Sequence, residues 1–220
     1  MSRIRLWFCL IILFQLVGCA TVTPPPAKDY SKFNAASPRS ILIVPVVNKS
    51  VDVTASDYFL STTSFPLAER GYYVFPVHLV KRILEDEGLS DASLVHGAPA
   101  EKLGSMFGAD AILYVVIEAW DAKYYVLNTT VTVQLSYAMK DGRSGETLWS
   151  HSQKMVYTPQ SSNSSGNPLV DLVAMAINAA VTKMTPNYMP LARQANAITF
   201  TYPGPGIPPG PYAGDQVVKK

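Results

Sequence analysis

The side chain with the most distinctive chemical setting is the thiol of Cys19. It stands directly behind Leu16-Val17-Gly18, at the end of an apolar run over residues 6–17 that is broken only by Gln15 and preceded by Arg3 and Arg5. A cationic start, a short apolar stretch and small residues before a cleavage point have the shape of a signal peptide. The run has 12 residues, short of the about 20 that a membrane-spanning helix needs. Residues 1–18 are therefore expected to be an export signal and not a permanent span. Cys9 would leave with that signal, and no second thiol would remain to form a disulfide with Cys19.

Other reactive groups do not converge in the sequence. His78, His96 and His151 are isolated and have no cysteine to join them, so no metal site is expected. No Gly-x-Ser-x-Gly elbow occurs, and Gly104-Ser105-Met106-Phe107-Gly108 reads as a helix end. A Gly-rich phosphate loop with Lys and Ser or Thr is absent. Glu85-Asp86-Glu87 reads as solvated charge at a helix end. The triplets at Asn48, Asn128 and Asn163 match a glycosylation pattern by chance in an exported bacterial chain. These readings predict no catalysis, and no cofactor other than lipid.

Leu16-Val17-Gly18-Cys19 resembles the lipobox of bacterial lipoproteins. The resemblance implies cleavage before Cys19, with Leu16, Val17 and Gly18 recognised by the signal peptidase. It also implies covalent diacylglycerol and an acyl chain such as palmitate on Cys19. Small residues let the chain lie extended in the peptidase, and the free thiol accepts the diacylglyceryl group. At about 0.8 kcal/mol per buried methylene, two or more chains give stable anchoring. Ala20, not Asp, follows the cysteine. By resemblance to the sorting rule of Gram-negative envelopes, this points to the outer membrane, on its periplasmic face.

Loss of residues 1–18 removes Arg3 and Arg5 and no acid, leaving 16 basic against 16 acidic side chains. A neutral chain has no electrostatic footprint for nucleic acid, and no polybasic patch for anionic lipid. Stability must come from a packed core, for which residues 39–200 are long enough as a single α/β domain.

Residues 19–38 contain Pro24-Pro25-Pro26 and few large apolar side chains, and read as a flexible tether behind the lipid. Residues 201–220 interleave Pro203, Pro205, Pro208, Pro209 and Pro211 with Gly204, Gly206 and Gly210, and read as a disordered tail. Between them, residues 41–47, 72–77 and 111–117 are short apolar runs rich in branched or aromatic residues, the form of covered strands. Helices are expected over residues 53–70, 78–87 and 99–107, stopped by Gly71, Gly88 and Gly108. From Thr130 the period is two, with Val131, Val133, Leu135, Tyr137 and Met139 on one face. A turn at residues 141–145 returns the chain as a hairpin. Asn167-Pro168 opens a helix to about Met184. Its apolar arc is wider than one sheet face requires, which makes Val170, Ala174 and Met175 a candidate interface for a homo-oligomer. The order predicts a mixed sheet of about five strands flanked by helices.

Three stretches carry a family resemblance. Residues 41–50 end an apolar run in Pro45, Asn48 and Ser50, as in envelope proteins that include the TolB amino-terminal domain, LpoB and CsgG. Residues 66–77 and 108–115 resemble a family of uncharacterised bacterial lipoproteins. That resemblance implies the TolB-amino-terminal-like α/β fold, distantly similar to LpoB and CsgG. It supplies no activity and no functional residue beyond Cys19. No extra pair of amphipathic strands is available for a CsgG-like pore, because residues 124–157 must serve the sheet.

The expected role is a non-enzymatic interaction or scaffold module in a secretion or cell-wall assembly of the envelope. It would be held to the membrane by its lipid, with other envelope lipoproteins among its partners. The alternative is a periplasmic small-ligand or peptide-binding lipoprotein, using an aromatic groove near Tyr72, Tyr124 and Tyr125.

Overall fold

The computed structural model describes residues 28–124, 129–157, 189–201, 204 and 206–214. Its elements run α1 (Ser31–Ala36), β1 (Ser40–Ile43), β2 (Val47–Asn48), α2 (Ala55–Glu69), β3 (Tyr73–Val74) and α3 (Val77–Asp86). They continue α4 (Ala92–Gly97), α5 (Ala100–Phe107), β4 (Ala111–Tyr124), β5 (Thr129–Asp141), β6 (Thr147–Tyr157) and α6 (Met189–Thr201). The strands form one six-stranded mixed sheet of order β3-β1-β4-β5-β6, with β2 also beside β4. β1 pairs in parallel with both β3 and β4, while β4, β5 and β6 form an antiparallel meander.

Period-two alternation divides the core between the two sheet faces. Ile41, Ile43, Leu113, Leu135 and Tyr137 pack with Phe59 and Leu67 of α2 and Phe200 of α6. Leu42, Val44, Ile112 and Tyr114 pack on the other face against Val80 and Leu84 of α3, Val95 of α4 and Leu103 of α5. Pro45 cannot donate to the ladder, so the expected 41–47 strand is interrupted. β1 ends at Ile43, and β2 resumes on the same neighbour, Val47 opposite Val116. Asn48 then closes a turn, accepting hydrogen bonds from the Ser50 amide (2.9 Å) and hydroxyl (2.7 Å), which gives the Pro-Asn-Ser pattern a structural role.

The helix stops behave as read. Gly71, Gly88 and Gly108 all adopt positive φ directly after their helices. Pro66 is accommodated inside α2. The expected strand over residues 72–77 shrinks to Tyr73–Val74, because Pro76 opens α3. α4 was not foreseen. It is nucleated by Asp91, whose carboxylate accepts the amides of Ser93 (2.7 Å) and Leu94 (3.3 Å). α6 is also new, and Asn196 ties it to α2 by donating to the hydroxyls of Thr62 (3.0 Å) and Thr63 (3.1 Å).

Two segments read as flexible are built into the domain. Within the expected tether, α1 buries Phe33, whose ring meets Tyr72 edge-on at 6.3 Å, and the Lys28 ammonium sits 4.4 Å over the Trp149 ring. Within the expected disordered tail, Ile207 is fully buried. The Gly210 and Tyr212 amides donate to the carbonyls of Arg70 (2.8 Å) and Gly71 (3.0 Å). Composition missed this docking because the tail is held mainly through its backbone, with Ile207 buried and Tyr212 met by Arg39. Proline and glycine exclude a helix or central strand but leave extended backbone free to bond. The expected helix over residues 168–184 lies outside the described residues.

Candidate functional site

Among the described residues no three His, Cys, Asp or Glu side chains gather as a metal site. The histidines occupy separate places. His96 donates from Nε2 to the Pro45 carbonyl at 2.9 Å and meets the Tyr114 ring edge-on at 5.1 Å. His151 stacks near Trp149 at 6.1 Å, and His78 lies on the rim of the groove described below. The Ser105 hydroxyl donates back to the Lys102 carbonyl of its own helix at 2.9 Å. Of the Glu85-Asp86-Glu87 cluster, Glu85 and Asp86 are paired with Arg82 at the surface (3.8 and 3.3 Å). Asp110 is a clasp: it accepts the Arg39 and Ser40 amides and the Ser40 hydroxyl, and is paired with Arg143 at 3.2 Å.

Burial holds the His96 imidazole below its ordinary pKa, outweighing its bond to the Pro45 carbonyl. The unfolded chain therefore takes a proton near pH 6.5 that the folded chain resists. Stability from this group is full above that pH and declines as pH falls through it. We expect the melting temperature to drop between pH 7.5 and 5.5, by less than the about 1.4 kcal/mol per pH unit that one proton permits. His96→Gln should flatten that slope, measured by thermal unfolding at both pH values; an unchanged slope would remove His96 as its cause.

The surface with the strongest character lies at the β3 edge of the sheet. An open groove of about 670 Å³ is lined by Phe65 and Ala68 of α2 and by Tyr73, Phe75, Pro76 and Val77. Phe65 is 67% exposed and Tyr73 53% exposed. The Tyr73 and Phe75 rings meet edge-on at 5.1 Å, and Phe75 continues to Phe107 at 6.4 Å. The Tyr73 amide donates inward to the Arg39 carbonyl at 3.0 Å, just before β1, and the Phe75 amide to the Ile41 carbonyl of β1 at 3.3 Å. The intervening Val74 backbone therefore faces away from the sheet. Two aromatic side chains left half to two-thirds in water forgo roughly 1–2 kcal/mol each of burial, which marks the face as one that another surface can cover.

The groove coincides with the one expected from the sequence only at Tyr72, which is part of its lining. Tyr72 is buried, with its hydroxyl donating to the Pro208 carbonyl at 2.7 Å. The side chains of Tyr124 and Tyr125 lie outside those described, as do Leu16, Val17, Gly18 and Cys19, and the candidate interface at Val170, Ala174 and Met175. Alternation into β3 sends Tyr72 inward and Tyr73 outward, and Phe65, in the helix expected over residues 53–70, was not among the residues weighed.

A short segment flanks the groove at Tyr72. Residues 204 and 206–213 cross the start of β3 as a strap, with Ile207 inserted beside Phe200 and its amide donating to the Phe200 carbonyl at 3.1 Å. A cleft of about 220 Å³ lies between the strap prolines, Phe33 and Tyr72.

The family described as "Putative lipoprotein GNA1162-like" matches residues 28–211, from Lys28 on Trp149 into the strap. The chain belongs to this family. The Neisseria meningitidis serogroup B member described as "Putative lipoprotein NMB1124/NMB1162" is 35% identical over 203 residues, covering 92% of this chain and 93% of the relative. The crystal structure of lipoprotein GNA1162 from Neisseria meningitidis aligns with a TM-score of 0.55 at 35% identity, over 66% of this chain and 98% of that one. The LpoB carboxy-terminal domain from Salmonella enterica aligns at 20% identity with a TM-score of 0.41, over 53% of this chain and 82% of that domain. The GNA1162-like domain is thus a mixed six-stranded α/β fold in a lipoprotein family.

Proposed function

We propose that this GNA1162-like lipoprotein is a non-enzymatic interaction module, lipidated on Cys19 and held at the periplasmic face of the outer membrane, where it contributes to an envelope assembly. The observation that carries the interaction role is the exposed aromatic groove of Phe65, Tyr73 and Phe75 beside the edge strand β3. Support for the anchor comes from the Leu16-Val17-Gly18-Cys19 sequence in a member of a lipoprotein family, and Ala20 favours the outer membrane over retention at the inner one. A surface that would hold a small ligand is normally more enclosed than this groove. An apolar protein surface, with an extended strand along β3, fits its shape.

The test is photocrosslinking in cells, with a benzophenone side chain at Tyr73 and a control at Leu94, which is 57% exposed on α4. The groove position should give a discrete adduct with an envelope protein, and Phe65→Glu should remove it while Leu94 gives none. A second copy of the chain would appear as an adduct of twice the mass. Cys19→Ser should release the protein from the membrane fraction and weaken the adduct, since tethering raises local concentration. Equal, diffuse labelling from Tyr73 and Leu94 would defeat the interaction reading; palmitate on the Cys19→Ser protein would defeat the anchor.

A further inference from the structure

The strap is held as a bound peptide is held. Its carbonyls are read by side chains of the domain: Arg70 Nε and Nη2 donate to Ile207 O at 2.9 and 2.7 Å, and the Tyr72 hydroxyl donates to Pro208 O at 2.7 Å. The Tyr30 hydroxyl reaches Gly204 O at 3.0 Å and Gly206 O more closely. Its amides are read by domain carbonyls, Gly210 by Arg70 and Tyr212 by Gly71. Close approach depends on missing side chains, since a Cβ on Gly210 would lie 2.2 Å from Gly71 O and one on Gly71 2.1 Å from the Ala213 amide nitrogen. Side-chain hydrogen bonding and full burial are confined to Tyr212, which Arg39 meets at 3.1 Å, and to Ile207; Pro209 and Pro211 are exposed on the edge of the cleft beside Phe33 and Tyr72. Burial keeps the Tyr30 and Tyr72 hydroxyls protonated as donors.

We propose that the surface formed by Tyr30, Arg39, Arg70, Gly71 and Tyr72 is a binding site for an extended proline- and glycine-rich peptide, with the strap as its exchangeable occupant in cis. Backbone reading with one apolar anchor is how extended proline-rich segments are recognised, because such backbone is preorganised and has no internal hydrogen bonds. A partner segment carrying an apolar residue, prolines and a glycine in the strap's order makes the same contacts. The strap is short and buries little beyond Gly206, Ile207 and Gly210, so its opening requires much less than global unfolding. Tyr72 borders both this site and the aromatic groove, but Tyr30, Arg39, Arg70 and Gly71 lie outside the groove lining, and the peptide test does not depend on the proposed role of that groove.

The test uses the full mature chain and a fluorescent peptide copying residues 204–214. The cis strap acts at millimolar effective concentration, so the unmodified protein should bind the peptide weakly. Gly210→Ala, whose Cβ pushes the strap off Gly71, should bind at least about tenfold more tightly by fluorescence anisotropy. Adding Tyr72→Phe or Arg70→Ala should reverse that gain, and a peptide of scrambled order should fail. Equal affinity of the unmodified and Gly210→Ala proteins, or a gain that survives Tyr72→Phe and Arg70→Ala, would overturn the proposal. Should Gly210→Ala unfold, hydrogen exchange on the unmodified protein decides. The Gly210 and Tyr212 amides should exchange at least about a hundredfold faster than the β4 ladder at Leu113, and exchange as slow as that ladder would exclude an exchangeable strap.

Discussion

Replacing Gly104 by alanine is expected to lower stability by about 2–3 kcal/mol, although the residue lies inside helix α5. Propensity alone argues the other way, since Gly to Ala in a helix gains about 0.5–1 kcal/mol. Packing reverses the sign. A Cβ at Gly104 would stand 2.1 Å from Gly142 O and 2.7 Å from Gly142 C and Cα, all backbone atoms of the β5–β6 turn. That turn cannot retreat easily. Gly142 donates to Asp110 O at 2.7 Å, and Asp141 holds the Arg143 and Ser144 amides at 2.9 and 2.7 Å. Overpacking costs about 1–3 kcal/mol and occasionally more; a Cβ 2.1 Å from a held backbone oxygen belongs at or above the upper end, which after the propensity gain leaves about 2–3 kcal/mol and a melting temperature about 5–10 °C lower. Gly97→Ala serves as the control, because its Cβ would meet nothing within 4 Å and its φ is not positive. A Gly104→Ala protein as stable as the unmodified one would mean that α5 moves off the turn at little cost.

Deleting residues 204–220 should lower the melting temperature by a similar amount, about 5–10 °C, while far-UV circular dichroism remains native. Ile207 is fully buried, and removing such a side chain costs about 2–5 kcal/mol. The loss also leaves the Tyr72 hydroxyl and the Arg70 guanidinium without the Pro208 and Ile207 carbonyls they donate to. The ordering entropy recovered by the freed chain offsets part of this loss. Ile207→Asp should reproduce most of the effect. An unchanged melting temperature in both proteins would mean that the strap contributes nothing to stability.

Much of the architecture was legible because it is local. Ile41 to Ile43, Val133 to Met139, and the positions of Gly88 and Gly108 follow from strand alternation and from the left-handed backbone that ends a helix. Chain order supplied a mixed sheet with helices on both faces. Alternation also predicts that one of Tyr72 and Tyr73 points inward, but both have the same chemistry. Which one is buried depends on the strap and α1 that cover Tyr72 and leave Tyr73 open.

The tertiary structure alone decided three things, each through contacts distant in sequence. It seated Phe33 and Lys28 on the domain, although residues 28–36 have too few apolar positions to show a period. It brought Gly104 against Gly142, an approach of two backbones that no pattern of side chains records. It also docked residues 206–213, because a Pro/Gly sequence specifies which local structures cannot form but not where its carbonyls and amides find partners. Those partners, Tyr30, Arg70, Gly71 and Tyr72, are more than 130 residues away along the chain from Ile207 and Pro208, and only the folded sheet brings them together.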